Sequence, residues 1–204
     1  MSPAPEHLEL RRVFAAYPTG VAAVAALVDG VPQGIAASSF VSVSLDPPLV
    51  SVCVAHTSTT WPALRLAPRL GISVLAAHQE LASRQLSARD SARFAALSWR
   101  ATDDGAVRIC GASAWLDCSI EQQIPAGDHD IVLLRVRDVG AADGEVPPLV
   151  FHGSSYRRLQ PRCGDSDRAR TGDLDRARGG DLDRARGGEL DRARGEAPSR
   201  LRAG

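Results

Sequence analysis

The chain has 204 residues, of which 44% are hydrophobic, enough to fill one core. Its 24 basic and 24 acidic side chains cancel, which leaves no positive excess to meet a nucleic-acid backbone, so no nucleic-acid partner is expected. Met1 to Arg12 lacks the apolar centre of a secretory signal, and no apolar run reaches membrane-spanning length, so a cytoplasmic protein without a membrane partner is expected.

In chain order, Leu10, Val13, Phe14 and Tyr17 stand near helical spacing between Pro5 and Pro18-Thr19-Gly20, which predicts a helix over Glu6 to Tyr17. Val21 to Val28 reads as an apolar strand, and Asp29-Gly30 is a hairpin signal feeding the next one. That strand runs into Gly34-Ile35-Ala36-Ala37-Ser38-Ser39, where small side chains let a ligand approach the main chain. The hydroxyls and free amide groups there suit an anionic or polar group. Ser42 and Ser44 continue the alternation begun at Ser38, as either a ligand-binding edge or the wet face of an antiparallel strand. Asp46-Pro47-Pro48 makes a turn, Leu49 to Ala55 a strand, and Thr59 to Leu66 a short helix with Pro62 in its first turn.

Leu70 to Leu75 is a further strand, followed by short helices over Gln79 to Leu86 and Ser91 to Leu97. Val107 to Cys110 and Ala112 to Ile124 read as a strand pair bent around Gly111. His129 to Val139 alternates with Arg135 and Arg137 outward, and Pro147 to His152 is expected to complete the barrel. Six or seven strands with only short helices predict a mainly β protein, a closed or split β-barrel, within residues 1–160.

Beyond Leu159 the character changes. The unit Asp167 to Leu174 recurs at Asp175 to Leu182 and Asp183 to Leu190, then begins again at Asp191. One leucine per unit buries too little to offset chain entropy, so residues 161–204 are expected to be a disordered, charge-balanced tail. Cys53, Cys110, Cys118 and Cys163 show neither C-x-x-C spacing nor zinc-ligand intervals to a histidine, which predicts free thiols and no metal. No nucleophile elbow, metalloprotease helix, Walker loop or dinucleotide fingerprint is present.

The serine block, Tyr17-Pro18-Thr19-Gly20-Val21, Ser58-Thr59-Thr60-Trp61-Pro62, Ile72-Ser73-Val74-Leu75 with Gln79, Arg93-Phe94, Gly127-Asp128-His129 and Pro148 to His152 with Tyr156 and Leu159 form an ordered set. In that order they resemble the short-chain flavin reductases, FMN-binding split-barrel enzymes that feed reduced flavin to two-component monooxygenases. The resemblance covers residues 11 to about 159. It implies a split barrel, FMN or FAD as the flavin, NADH or NADPH as hydride donor, a homodimer, and a flavin-dependent monooxygenase as partner. It places Ala36, Ala37, Ser38 and Ser39 against the ring edge and ribityl chain, and gives Cys53, Val54 and Ala55 main-chain contacts to the ring. Ser58, Thr59 and Thr60 would hold the phosphate, helped by a helix N-terminus, with Arg93 as countercharge. Ser58 and Thr59 suit a helix N-cap equally well. His129 would stand against the nicotinamide, oriented by Asp128, with His152 and Tyr156 closing the pocket; His56 and His78 have no assignable partner. Ser73 replaces a common Asn, Cys110-Gly111 a common Leu-Gly, and the tail is not a family feature. The alternatives are a flavin-binding split-barrel protein without useful reductase activity and a pyridoxamine-phosphate oxidase-type barrel. The latter would need several converging cations, drawn here from Arg65, Arg69, Arg84, Arg89 and Arg93.

Overall fold

The computed structural model describes residues 6–88 and 93–160. The expected repeat tail, Cys163, Arg89 and the start of the helix expected from Ser91 lie outside these residues.

The chain opens on α1 (His7–Phe14), which buries none of its residues. Next come β1 (Thr19–Gly20), β2 (Ala22–Val28) and β3 (Val31–Ala37). The β2–β3 turn is the one its sequence announces, with Asp29 at φ 51° and Gly30 at φ 76°. Two successive positive φ values match the right-handed twist of a hairpin, and Asp-Gly adopts them cheaply. β4 (Val41–Leu45) and β5 (Pro48–Ala55) form a second hairpin, followed by the single turn of α2 (Trp61–Leu64) and β6 (Leu70–Val74). α3 (Glu80–Ser87), β7 (Trp99–Ala101), β8 (Val107–Ile109), β9 (Ala114–Ala126), β10 (His129–Ala141), β11 (Val150–His152) and β12 (Ser155–Arg157) complete the domain.

Seven strands form one antiparallel sheet in the order β3-β2-β6-β9-β10-β5-β4, and the fold is a split β-barrel. Two irregularities in the β9–β10 pairing, between Leu133 and Leu134 and between Val136 and Asp138, bend the long hairpin, as bulges do. β2 explains its own composition. Ala22, Val24 and Ala26 face one core with Val52, Val54, Ile72, Leu70, Val132 and Leu134, while Val21, Ala23 and Ala25 face a second with Leu75, Leu86, Phe94, Val107 and Leu149. A strand buried on both faces reads as a continuous apolar run, and its alanines leave room for a layer on each side.

Three expectations need correction. β8 pairs with β7, not with β9, because β9 already has β6 and β10 as neighbours. β11 joins β1 and β12 in a separate three-stranded sheet and does not complete the main one. Residues 93–96 form turns where a helix was expected. Phe94 explains that turn: it is buried against Gly34, and its ring meets Trp99 edge-on at 6.4 Å. Packing of one aromatic side chain into the second core overrides a short helical periodicity.

Candidate functional site

A cleft of about 580 Å³ opens where the end of β3, the end of β5, the loop after β5, the C-terminus of α3 and the start of β10 meet. Ala36, Ala37, Ser38, Ser39, Cys53, Val54, Ala55, Ser58, Thr59, Thr60, Arg93 and His129 all line it. Tyr156 does not. It lines a smaller adjoining cavity that shares Ala36, Ala37, Ser38 and Ser87 with the cleft. There its hydroxyl bonds Ser83 Oγ at 2.8 Å and Arg84 lies over its ring at 5.0 Å. Ser42 and Ser44 lie on β4, an edge strand, and do not line the cleft; β4 is exposed along its length apart from the half-buried Ser44.

The polar end is built on a buried anchor. Trp61 is sunk in the barrel core with its indole N–H donating to Gln123 Oε1 at 3.2 Å, which pins the hydroxyl-rich turn before it. Ser58 Oγ accepts the Trp61 N–H at 3.2 Å, so Ser58 acts as a cap as well as a wall of the cleft. α2 is only four residues long where the sequence predicts eight, and a single turn sums little dipole. The positive charge at this end therefore comes from Arg93. Its Nη1 donates to Thr60 Oγ1 at 2.6 Å and to Gly34 O at 3.0 Å, tying the hydroxyl turn to β3 across the cleft. Of the other arginines considered, Arg69 pairs with Asp104 and Asp117, and Arg84 with Glu80. Among the described residues Arg93 is the one guanidinium lining the cleft.

Two expected ligand contacts are spent within the protein. Ser39 Oγ donates to Cys53 O at 3.1 Å and accepts the Cys53 N–H at 2.9 Å, stapling the end of β3 to β5. The Ser39 hydrogen is thereby used, and the Cys53 main chain on that side is satisfied, so Cys53 presents its thiol rather than its amide. Ala55 O accepts the Ser58 N–H at 2.9 Å. Gln79 and Ser73, both buried, are likewise structural. Gln79 bridges the Ala76 N–H and Cys110 O, and Ser73 Oγ accepts the Ile109 N–H.

The cleft is also lined by His129, which lies opposite Ala55 in the β5–β10 pairing and follows Gly127, at φ 70°. Its Nδ1 is 2.7 Å from Asp128 Oδ1. That hydrogen bond, then the charge of His129, holds the Asp128 carboxyl below the usual carboxylate range. An ionised carboxylate only accepts, so Nδ1 carries the hydrogen and Nε2 is the free ring atom. His152 lies elsewhere, on a cleft beside α1. His56, for which the sequence offers no partner, meets Asp130 Oδ1 through Nε2 at 3.0 Å.

Sequence reasoning missed Ile35, Thr57, Leu86 and Ser87 on the cleft. Thr57 stands beside the serine-threonine turn and was legible there. Leu86 and Ser87 reach the site only because α3 packs across β3, which no local pattern signals.

The chain matches the family described as flavin reductase like domain over residues 14–160. It is 38% identical over 147 residues to a flavin reductase of Pseudomonas putida, covering 72% of this chain and 86% of that protein. It is 34% identical over 151 residues to the reductase subunit of a flavin-dependent monooxygenase of Rhodococcus jostii, covering 74% and 77%. Among solved structures it resembles an NADH:FAD oxidoreductase of Streptomyces globisporus in complex with NAD and FAD fragments. The TM-score is 0.73 and the identity 36%, with 78% of this chain and 95% of that one covered.

Proposed function

The chain belongs to the flavin reductase-like family, and from that premise we propose how its cleft serves an NAD(P)H:flavin oxidoreductase. Flavin and nicotinamide supply the chemistry themselves, a hydride transfer, so the protein's task is to hold and orient them. The observation that carries the reading is a single cleft lined together by the Arg93 guanidinium, the hydroxyls of the turn at Ser58, Thr59 and Thr60, and the His129 imidazole. Its volume lies within the ordinary range for a small-molecule site. The donor set fits a phosphorylated flavin. Arg93, Ser58, Thr59 and Thr60 hold the phosphate, and the small walls of Ala36, Ala37 and Ala55 admit a flat ring. Cys53 and Val54 line its edge, Ser38 and the remaining lone pair of Ser39 meet the ribityl chain, and Tyr156 borders the site from the adjoining cavity. His129 presents Nε2 to the nicotinamide carboxamide, with Asp128 fixing its tautomer.

Oxidation of NADH and NADPH by the purified chain, with FMN, FAD or riboflavin added in turn, tests the reading. Flavin-dependent turnover is expected. Flavin binding without turnover would transfer the assignment to a flavin-binding protein without reductase activity. His129→Ala is expected to lower kcat/KM for the nucleotide by about tenfold, close to 1.4 kcal/mol, while changing flavin affinity little. An unchanged kcat/KM would remove His129 from the reaction. Thiol chemistry offers a separate check. Cys53 is exposed in the cleft, whereas burial, then the Asp117 charge, pushes the Cys118 thiol up to about 12. Alkylation mapped by mass spectrometry should therefore modify Cys53 well before Cys118, and added FMN should slow the reaction at Cys53 alone.

The reduced flavin is consumed by a separate flavin-dependent monooxygenase, the arrangement named for the Rhodococcus relative. A homodimer is supported by β4, an edge strand paired only with β5, whose Val41, Val43 and Leu45 are exposed, Leu45 to 96%. Such an apolar edge is ordinarily covered. No helix among the described residues is long and apolar enough to cross a membrane. The free thiols of Cys53, Cys110 and Cys118 accord with a cytoplasmic setting. Removal of residues 161–204 is expected to leave flavin reduction intact, and a loss of activity in that truncation would give the tail a part in it.

A further inference from the structure

His56 and Asp130 have no task in the arrangement above, yet they link the segment that carries His129 to the loop that carries Ser58 to Thr60. His56 follows the last residue of β5. Its main-chain N–H donates to Asp128 O at 3.0 Å, and its Nε2–H donates to Asp130 Oδ1 at the same distance. Asp130 lies opposite the buried Val54, whereas His129 lies opposite Ala55. Successive strand residues point to opposite faces, so Asp130 leaves β10 on the face turned away from His129. The segment that carries His129 is thus held by the Asp128–His129 bond within it and by His56, through its main chain to Asp128 and through its ring to Asp130. On its other side His56 continues directly into Thr57 and Ser58, which line the polar end of the cleft.

We propose that His56 and Asp130 are positioning residues that set the span between His129 and the Ser58–Thr60 turn. The proposal rests on the reductase reading. The pair touches no ligand; it acts through the 127–129 turn and the loop that begins at Thr57. Its contribution to stability is small, because His56 is 48% and Asp130 26% exposed and pairs of that kind add little. Its contribution to rate is larger, since misplacement by about 1 Å can cost on the order of a hundredfold in an oriented reaction. The His56 main-chain bond survives any side-chain substitution, so variants report on the side-chain pair alone.

The test is made on the full chain with NADH or NADPH and FMN, reading kcat, KM, flavin Kd and Tm for His56→Ala, Asp130→Ala, the double variant and His56→Gln. Each single alanine variant is expected to lower kcat by about tenfold, and the double variant no further, because both remove one interaction. His56→Gln, which keeps a donor, is expected to recover most of the rate. Flavin Kd should move by less than about threefold and Tm scarcely at all. An unchanged kcat in His56→Ala, additive losses in the double variant, or a rate loss that follows a fall in Tm would each overturn the proposal while leaving the reductase intact. A wild-type chain without flavin-dependent turnover would overturn the reductase reading and the positioning role together.

Discussion

Replacing Arg93 by alanine is expected to weaken FMN binding by about thirtyfold to a hundredfold, the equivalent of roughly 2 to 3 kcal/mol for a hydrogen bond to a charged group. Two losses combine. On the proposed reading the phosphate would lose the one guanidinium that lines the cleft among the described residues, and Gly34 O and the buried Thr60 Oγ1 would lose their shared donor. Riboflavin separates them. It has no phosphate, so its affinity in Arg93→Ala reports only the loosening of the hydroxyl turn against β3, and a drop of no more than a few-fold is expected. Arg93→Lys keeps the charge but not the planar fork that serves two oxygens at once, and it should fall between wild type and alanine. Fluorescence titration of FMN and riboflavin into the three proteins reads all of this. Equal losses for the two flavins would show that Arg93 shapes the cleft and does not meet a phosphate.

The second large effect lies away from the cleft. Asp117 on β9 is 6% exposed, with Oδ1 3.5 Å from Arg69 Nη1 and Oδ2 3.9 Å from Arg108 Nη2. Arg108 also stacks on the Trp115 ring at 3.2 Å. Asp117→Ala leaves two largely enclosed guanidinium groups without their common carboxylate, a change that costs about 3 to 5 kcal/mol when the pair is buried. Asp104 and Asp138 still serve Arg69 and Arg108 from the exposed side, so the lower figure, about 3 kcal/mol, is expected. For a domain of this size that corresponds to a fall in Tm of roughly 6 to 12 °C.

The pH dependence of that deficit has a definite sign. Burial raises the Asp117 carboxyl above its ordinary value of 3.8, against the lowering effect of Arg69 and Arg108. A raised folded pKa contributes stability that is fully present below the unfolded value and is lost as pH rises through the folded one. The gap between wild type and Asp117→Ala should therefore widen as pH falls from 7 toward 4. Glu121 behaves oppositely. Its two hydrogen bonds from Arg135, at 2.8 Å each, hold it below the usual range, so its stabilisation is present above its ordinary value and lost on acidification. Thermal unfolding across that pH range checks both signs, and a deficit that narrows on acidification would contradict the account of Asp117.

What the sequence determined by itself was local chemistry and the order in which it recurs. Asp29-Gly30 specified its turn because two residues suffice to set two positive φ values. Ser58 to Thr60, Arg93 and His129 were legible as candidate residues because each stands in a short local motif, and all of them line the cleft. Tertiary structure alone decided what those residues do with their hydrogen bonds. Ser39 spends its hydroxyl on Cys53, Arg93 divides one nitrogen between Gly34 and Thr60, and His56 finds Asp130. The same holds for Tyr156, set in the adjoining cavity by Ser83, and for β11, drawn to β1 instead of the main sheet. The side-chain partners lie 14 to 74 residues apart, and the β1–β11 pairing joins Thr19 to Phe151. A pairing over such a distance leaves no periodicity behind it, because it depends on which strands become neighbours once the two cores have packed on either face of β2.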